Sequence, residues 1–412
     1  MDRVSSNQAF LDAQFHLRQR QAELNAQSAK VASQTSVKEL RDDPLAAARS
    51  VRFQSQLVRL DRYSSNIDVM RGRLNTAEAH LSEAITVLQR VRELAIRGAN
   101  GTLDGEQMGY VGQEVNQLLN ELTSLANATG EDGKRIFAGF NGAFAPFRLE
   151  VGRLADGRDG IKSVSYVGDI GRVNTEISED TFVDVSTPGN YAFWAENQQI
   201  YSSTRAVDYR AQEDGTIDID GVAIEVKRGD NLFALIDKIN ASAAPARARL
   251  DPIRESLVLE SSFPHQLWVQ DVSGTVLQDL GIVDGGSTAP ENVADSALVF
   301  GGSVFDMVIH LRDSLFDGNA GAVGGSALRG IDDALLNMVT TVSDIGARAE
   351  RIQLTQNRIA FEMPERVRMN DLEVGIDLAT AISDLKALET AHEAALAATA
   401  RSLGPRLMDF LR

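Results

Sequence analysis

Apolar residues recur three and four positions apart along two long segments, one near each end of the chain. Spacing that averages 3.5 residues keeps one apolar seam along an α-helix, and that seam is stable in water only when another helix covers it. We therefore expect a core of helices from both ends of the chain, with a further helix at about 111–125. The predicted core residues are Ile67, Met70, Leu74, Leu81, Leu88, Val91, Leu118, Leu122, Ile331, Leu335, Met338, Val342, Ile345 and Ile352.

The middle of the chain has a different apolar period. Between residues 144 and 300 the period is two, as in 216–226, and Asp220-Gly221 is a typical hairpin turn between alternating runs. Six of the nine prolines lie between Pro146 and Pro290, where loops and strands tolerate them better than long helices do. The predicted fold class is α+β: an elongated antiparallel helical bundle or coiled coil formed by the N- and C-terminal segments, with a β-rich domain inserted between them.

Helix signals set the predicted domain boundaries. Asp43-Pro44 has the form of a helix N-cap followed by proline at the first helical position, so a helix should begin at Pro44 and continue to about residue 99. Pro364 should kink or divide the last helical segment. The predicted divisions are a terminal helix and link at 1–43, a helical part at 44–143, the β-rich domain at 144–300, a second helical part at 301–365 and a terminal helix at 366–412.

Composition excludes several classes of protein. The 412 residues are 43% hydrophobic and 24% charged, as expected of a folded chain, and contain neither a run of about 18 apolar residues nor an apolar N-terminal signal segment. The absence of cysteine excludes disulfides and thiolate sites. The net charge is −17, with 28 acidic and 14 basic residues between 150 and 330, and no basic patch indicates nucleic-acid binding. We expect neither nucleic acid nor a membrane as a partner.

No residue pattern predicts catalysis or cofactor binding. The five histidines have no metal-ligand spacing, and ordinary structural roles explain them best. Asp218-Ile219-Asp220-Gly221 resembles part of a calcium loop, but Thr216 and Lys227 would occupy ligand positions one and twelve. The glycines at 318–325 lack the lysine of a phosphate-binding loop. The sequence predicts no catalytic residue, no cofactor and no metal site.

Short apolar stripes near the chain ends are too narrow to be stable alone, so each needs neighbouring helices to bury it. The N-terminal stripe and the C-terminal stripe and tail comprise Phe10, Leu17, Leu24, Val31, Leu378, Ile382, Leu385, Leu388, Leu407, Met408, Phe410 and Leu411.

Several motifs in order along the chain resemble the flagellin superfamily. They are the runs at 92–103, 114–118 and 133–140, and then 345–348, 377–385 and 407–411. Each motif alone is weak, but their order over nearly the whole chain is specific. The run Asp42-Asp43-Pro44 and the ending Met408 to Leu411 are more similar to the hook–filament junction members, the hook-associated protein 3 family, than to filament flagellins.

The resemblance implies a structural, non-enzymatic flagellar subunit at the hook–filament junction, with the terminal stripes as contacts between subunits. The implied partners are hook-associated protein 1 on the hook side, flagellin, further copies of the chain in a ring, and a flagellar export chaperone. It also implies a place in an external or periplasmic flagellum, reached without a cleaved signal peptide. Two alternatives stay open: a divergent filament flagellin, or a secreted enzyme or adhesin carried between flagellin-like ends.

Overall fold

A computed structural model describes residues 2–37, 41–154, 157 and 159–402 of the chain, and side chains within those ranges from 11 to 399. Contacts divide the chain into two compact units. Unit one is Met1–Ser65 with Thr355–Arg412, and unit two is Asn66–Leu354. None of the helices in the described ranges is long and apolar enough to cross a membrane.

The described residues form α-helices at both ends and strands in the middle, so the predicted α+β class with an inserted β-rich region is confirmed. The helices are α1 Asp2–Ser33, α2 Pro44–Ala99, α3 Gly105–Ala126, α4 Gly189–Ala192, α5 Leu232–Ala241, α6 Val276–Asp279, α7 Val304–Phe316, α8 Ala320–Ala322, a π-helical turn Val323–Ala327, α9 Leu328–Val374 and α10 Leu378–Ser402. The strands are β1 Phe147–Arg153, β2 Asp159–Tyr166, β3 Asn174–Ser178, β4 Thr181–Asp184, β5 Gln199–Tyr201, β6 Gly215–Ile219, β7 Val222–Val226, β8 Ala246–Asp251, β9 Ser256–Ser261, β10 Val269–Ser273 and β11 Leu298–Phe300.

The start of α2 follows the sequence signal. The Asp43 carboxylate accepts hydrogen bonds from the backbone N–H groups of Leu45 (2.9 Å) and Ala46 (3.0 Å), which satisfies two donors that the first helical turn leaves free. Pro44, the first helical residue, has no N–H to lose.

The last helical segment divides at Gly375, whereas Pro364 lies inside α9 without ending it. The N–H of Ser36 and the hydroxyl of the same residue both donate to the Val374 carbonyl, at 2.7 and 3.1 Å. These bonds satisfy a carbonyl at the end of α9. Asp377 then accepts from the N–H of Ala379 (3.0 Å) and caps α10. The domain boundaries at 43, 143, 300 and 365 stay predictions.

Unit two contains a helical core along the predicted seam. Ile67, Met70, Leu74, Leu81, Leu88 and Val91 on α2, Leu122 on α3, and Ile331, Met338, Ile345 and Ile352 on α9 are all buried. The Arg92 side chain donates to Asp332 at 2.5 Å, which ties α2 to α9.

Three predicted core residues, Leu118, Leu335 and Val342, are only half-buried. On α3 the buried strip instead contains Leu119, because α7 packs against a face rotated from the predicted one. On α9, Leu335 and Val342 lie at one edge of the strip that holds Ile331 and Met338.

The strands form small antiparallel sheets: the pairs β1–β2 and β3–β4, the three-stranded β10–β6–β7 and the four-stranded β11–β5–β9–β8. Residues 199–300, called the outer module below, contain the two larger sheets and α5. Their own apolar core includes Ile217, Leu235 and Leu259. A separate cluster of aromatic rings, 5.0 to 5.7 Å apart, joins the β1–β2 hairpin to α7 and consists of Phe137, Phe147, Tyr166, Phe193 and Phe305.

Candidate assembly surface

Helices α1 and α10 of unit one pack against each other. The Gln27 side-chain amide donates to the Ala381 carbonyl at 3.3 Å, which fixes one point of contact between them. Of the described α1 side chains none is buried, and of those on α10 only Ala381 is buried. This helix pair therefore covers little of its own apolar surface.

The predicted stripe residues fall into three groups. Leu17, Leu24, Val31, Leu385 and Leu388 are half-buried, whereas Leu378 and Ile382 are exposed, at 42% and 46%. Phe10 lies in α1, but its side chain is outside the described set, and so are all four tail residues, Leu407, Met408, Phe410 and Leu411.

The structure also shows exposed apolar residues that sequence reasoning missed. On α1, Leu11 and Phe15 are 61% and 65% exposed, and on α10 Leu396 is 47% exposed. Leu11 and Phe15 are four residues apart and so share a helix face, which the three-four spacing of the predicted stripe did not include. That i, i+4 pair was the signal in the sequence that pointed to a second apolar face.

The α2 and α9 segments of unit one are joined by polar contacts. Arg49 donates to Glu373 at 3.1 Å, and the Ser50 hydroxyl donates to the Asn370 side chain at 2.8 Å. Near these contacts an open groove is lined mainly by apolar side chains, among them Leu57, Met363 and Pro364. Phe361, close by in sequence, is 81% exposed.

Two carboxylates of this region have lowered pKa values. A hydrogen bond from Arg368 lowers the pKa of Glu365, and bonds from the Thr380 hydroxyl and the Ala379 N–H lower that of Asp377. Among the described residues, no group of three or more histidine, aspartate or glutamate side chains is arranged to hold a metal ion. The exposed apolar residues of α1 and α10 can interact with another helix by apolar packing.

Sequence comparisons find flagellins and flagellar hook-associated proteins. Residues 4–142 match the bacterial flagellin N-terminal helical region. Polar flagellin C of Vibrio parahaemolyticus is 25% identical over 87% of this chain and 85% of its own length. Flagellar hook-associated protein 3 of Escherichia coli is 30% identical over 29% of this chain and 38% of its own. The crystal structure of hook-associated protein 3 from Legionella pneumophila covers 77% of this chain and 96% of its own, at 16% identity and a TM-score of 0.46.

The chain is thus similar to proteins of the flagellin superfamily, and the sequence matches support a structural role in the bacterial flagellum. Within the superfamily, the sequence matches support a hook–filament junction subunit of the hook-associated protein 3 type. The predicted recognition and structural role are confirmed at this level.

Proposed function

We propose that this chain connects the hook-side adaptor to the flagellin filament by stacking its terminal helices against neighbouring subunits. The observation that carries the proposal is the α1–α10 pair, which leaves Leu11, Phe15 and Ile382 exposed. Several exposed apolar side chains on one helix pair favour burial of that surface against another subunit. The tail residues Leu407, Met408, Phe410 and Leu411 extend the same contact in this proposal.

The proposed partners follow from a junction position. They are hook-associated protein 1 on one side, flagellin on the other, further copies of the chain in a ring, and an export chaperone before assembly. In this proposal the protein is not an enzyme, and it works outside the cell or in a periplasmic flagellum after export without a cleaved signal peptide. In this proposal segments 1–43 and 366–412 make the assembly contacts.

The test places a charge on the exposed apolar face. Phe15→Glu and Ile382→Glu should each abolish incorporation at hook tips in cells that lack the native chain. A carboxylate that is buried in a packed helix contact loses its bound water and gains no hydrogen-bond or charge partner in return. Both side chains are exposed in the single subunit, so the thermal midpoint of the purified monomer should not change. Ser28→Glu adds the same charge at an exposed polar position of α1 and is the matched control.

Normal incorporation of both apolar-site variants would refute the proposed contact. A lowered thermal midpoint would show instead that Phe15 and Ile382 stabilise the subunit itself.

The second candidate is a divergent filament flagellin. It is favoured by the match to polar flagellin C, which extends over 87% of this chain. Gold-labelled antibody on intact flagella separates the two candidates: a narrow band at the hook tip supports the junction proposal, and labelling along the filament supports the flagellin one.

A further inference from the structure

A buried histidine–aspartate pair lies inside the outer module. The His265 and Asp220 side chains are both 0% exposed, and His265 Nε2 is 3.1 Å from Asp220 Oδ2. Asp220 Oδ1 accepts from the N–H of Trp268 at 3.0 Å. The pair therefore joins the β6–β7 turn to segment 263–268.

The hydrogen-bond partners of the two ring nitrogens determine where the protons of this pair lie. His265 Nδ1 lies 2.8 Å from the Phe263 carbonyl oxygen, which can only accept, so Nδ1 carries a proton. The other ring nitrogen faces a carboxylate oxygen, and one proton between Nε2 and Oδ2 makes that contact a hydrogen bond. Without that proton, two acceptors would face each other in a site that water does not reach.

The same histidine forms the contact between the outer module and α4. Its ring stacks on Tyr191, with centroids 4.9 Å apart and planes at 16°. Next to it, the Asn190 side chain donates to the Gln266 carbonyl at 3.2 Å and the Gln266 N–H donates to the Asn190 carbonyl at 3.1 Å. Asn337 of α9 holds α4 in turn, by donating to the Tyr191 carbonyl at 2.9 Å.

Other charged groups around the pair already have partners. Asp169 accepts from three backbone N–H groups, Asp218 accepts from Gly221 N–H, and Arg172 lies over the Tyr191 ring and pairs with Asp184. Burial, and then the nearby Asp220 charge, raise the pKa of Tyr191, so this phenol keeps its proton in mildly alkaline solution.

We propose that the His265–Asp220 pair is a proton-dependent lock that fixes the outer module against α4. Backbone pairing holds the β6–β7 turn to Trp268 at any pH, through the Asp220 N–H and the Trp268 carbonyl at 2.8 Å. While the shared proton is present, it also holds the His265 ring flat on Tyr191. When alkaline solution removes the proton, repulsion between Nε2 and Oδ2 moves one of them towards water. The ring stack then opens, and the outer module adopts a range of orientations relative to α4.

Asp220→Asn is the variant that separates the proton from the contact. An asparagine amide oxygen can accept from Trp268 N–H while its NH₂ donates to a neutral Nε2, so both bonds survive without a shared proton. Asp220 has φ +52, and asparagine tolerates that left-handed backbone conformation. This variant should stay locked at alkaline pH.

The absence of cysteine allows clean spin labelling of the full chain. One label pair, Ile253→Cys with Leu336→Cys, measures from the outer module to α9, and the control pair, Ile253→Cys with Phe233→Cys, lies within the module. All three positions are exposed, at 90%, 68% and 55%. Distance distributions would be recorded by double electron–electron resonance at neutral pH and at about pH 9.5, where the alkaline solution favours loss of a histidine proton.

The expected result is a module-to-α9 distribution that is narrow at neutral pH and broad at alkaline pH, with no change within the module and none in Asp220→Asn. An unchanged native distribution would overturn the proposal. Equal broadening in Asp220→Asn would show that another group responds to pH. Broadening within the module would show unfolding in place of an opened lock. If Asp220→Asn folds poorly, the comparison of the native chain at the two pH values still tests the proposal.

Discussion

At the scale of single residues, the helical core of unit two depends on side chains that tolerate neither charge nor loss of volume. Leu81 is fully buried on α2, between Ala77 and Ala84, which are buried as well. Since Leu81 is 0% exposed, a polar group at this position would have no contact with water.

We predict that Leu81→Asp lowers the free energy of unfolding by about 3 kcal/mol or more, because it buries an unpaired carboxylate. Urea unfolding followed by circular dichroism measures the change. Val69→Asp is the control, since Val69 lies on the same helix and is 62% exposed. Equal stability of the two variants would show that the face bearing Leu81 is not a core.

Asp306 is a partly buried carboxylate in a capping box at the start of α7. Its Oδ2 accepts from both the N–H and the hydroxyl of Ser303 at 2.8 Å, and the Ser303 hydroxyl oxygen accepts from the Asp306 N–H at 3.2 Å. Burial raises the pKa of Asp306 above 3.8, although the bonds from Ser303 act in the opposite direction.

A raised pKa in the folded state means that the folded protein holds this proton more tightly than the unfolded chain does. The stability due to Asp306 is therefore complete below pH 3.8 and is lost as the pH rises through the raised value. Asp306→Asn keeps one oxygen for Ser303 and has no charge to bury. We predict that the Asp306→Asn variant becomes more stable relative to the native chain as the pH rises above 3.8. Urea unfolding at several pH values measures the difference in free energy of unfolding, and a difference that does not change with pH would contradict the prediction.

At the scale of elements, two glycines of α2 have opposite roles. A Cβ on Gly98 would lie 2.6 Å from Leu315 Cδ2 and 3.3 Å from Val323 Cγ1, and both of these residues are fully buried. A Cβ on Gly72 would meet no atom within 4 Å. Gly98 thus permits α7 and the π-helical turn to approach α2, whereas Gly72 only loosens the helix.

Alanine at the two positions should change stability in opposite directions. Gly72→Ala should raise the free energy of unfolding by about 0.5–1 kcal/mol, because alanine reduces the backbone freedom of the unfolded chain. Gly98→Ala should lower it, because the buried Leu315 cannot move aside freely. Thermal melts of the two variants check the signs. A stabilising Gly98→Ala would mean that α7 packs less closely on α2 than the structure shows.

At the scale of the whole molecule, the outer module is separable from the helices of unit two. It has its own apolar core, and its entry and exit lie close together, since the Ala195 N–H donates to the Gly302 carbonyl at 3.0 Å. The β1–β2 hairpin is different, because Phe147 and Tyr166 pack in the aromatic cluster with Phe305 of α7.

We predict that replacing residues 198–300 by a short Gly/Ser linker leaves a soluble, cooperatively folding protein that still enters the hook tip, because the proposed assembly contacts lie on α1 and α10. Circular dichroism melts and immunogold labelling measure the two properties. Removal of 148–298 is the comparison: it should destabilise the helices, because it strips Tyr166 and Phe193 from the aromatic cluster. Loss of incorporation with retained folding would assign an assembly role to the outer module.

Local signals in the sequence determined the helices and turns. The 3.5-residue period identified the seam from Ile67 to Val91, Asp43-Pro44 marked the start of α2, and Asp220-Gly221 marked the β6–β7 turn. These features depend on backbone geometry and on neighbours within a few positions, so they can be predicted from one amino-acid sequence.

Tertiary structure decided which face of each helix is covered and which distant groups meet. The choice between Leu118 and Leu119 depended on where α7 packs, and the exposed Leu11–Phe15 face depended on how α10 covers α1. His265, which the sequence treated as an ordinary histidine, meets Asp220 across 45 positions because two strands and a turn bring them together. Periodicity gives the direction of a side chain relative to its own helix or strand, and only the packing of the elements determines what lies opposite it.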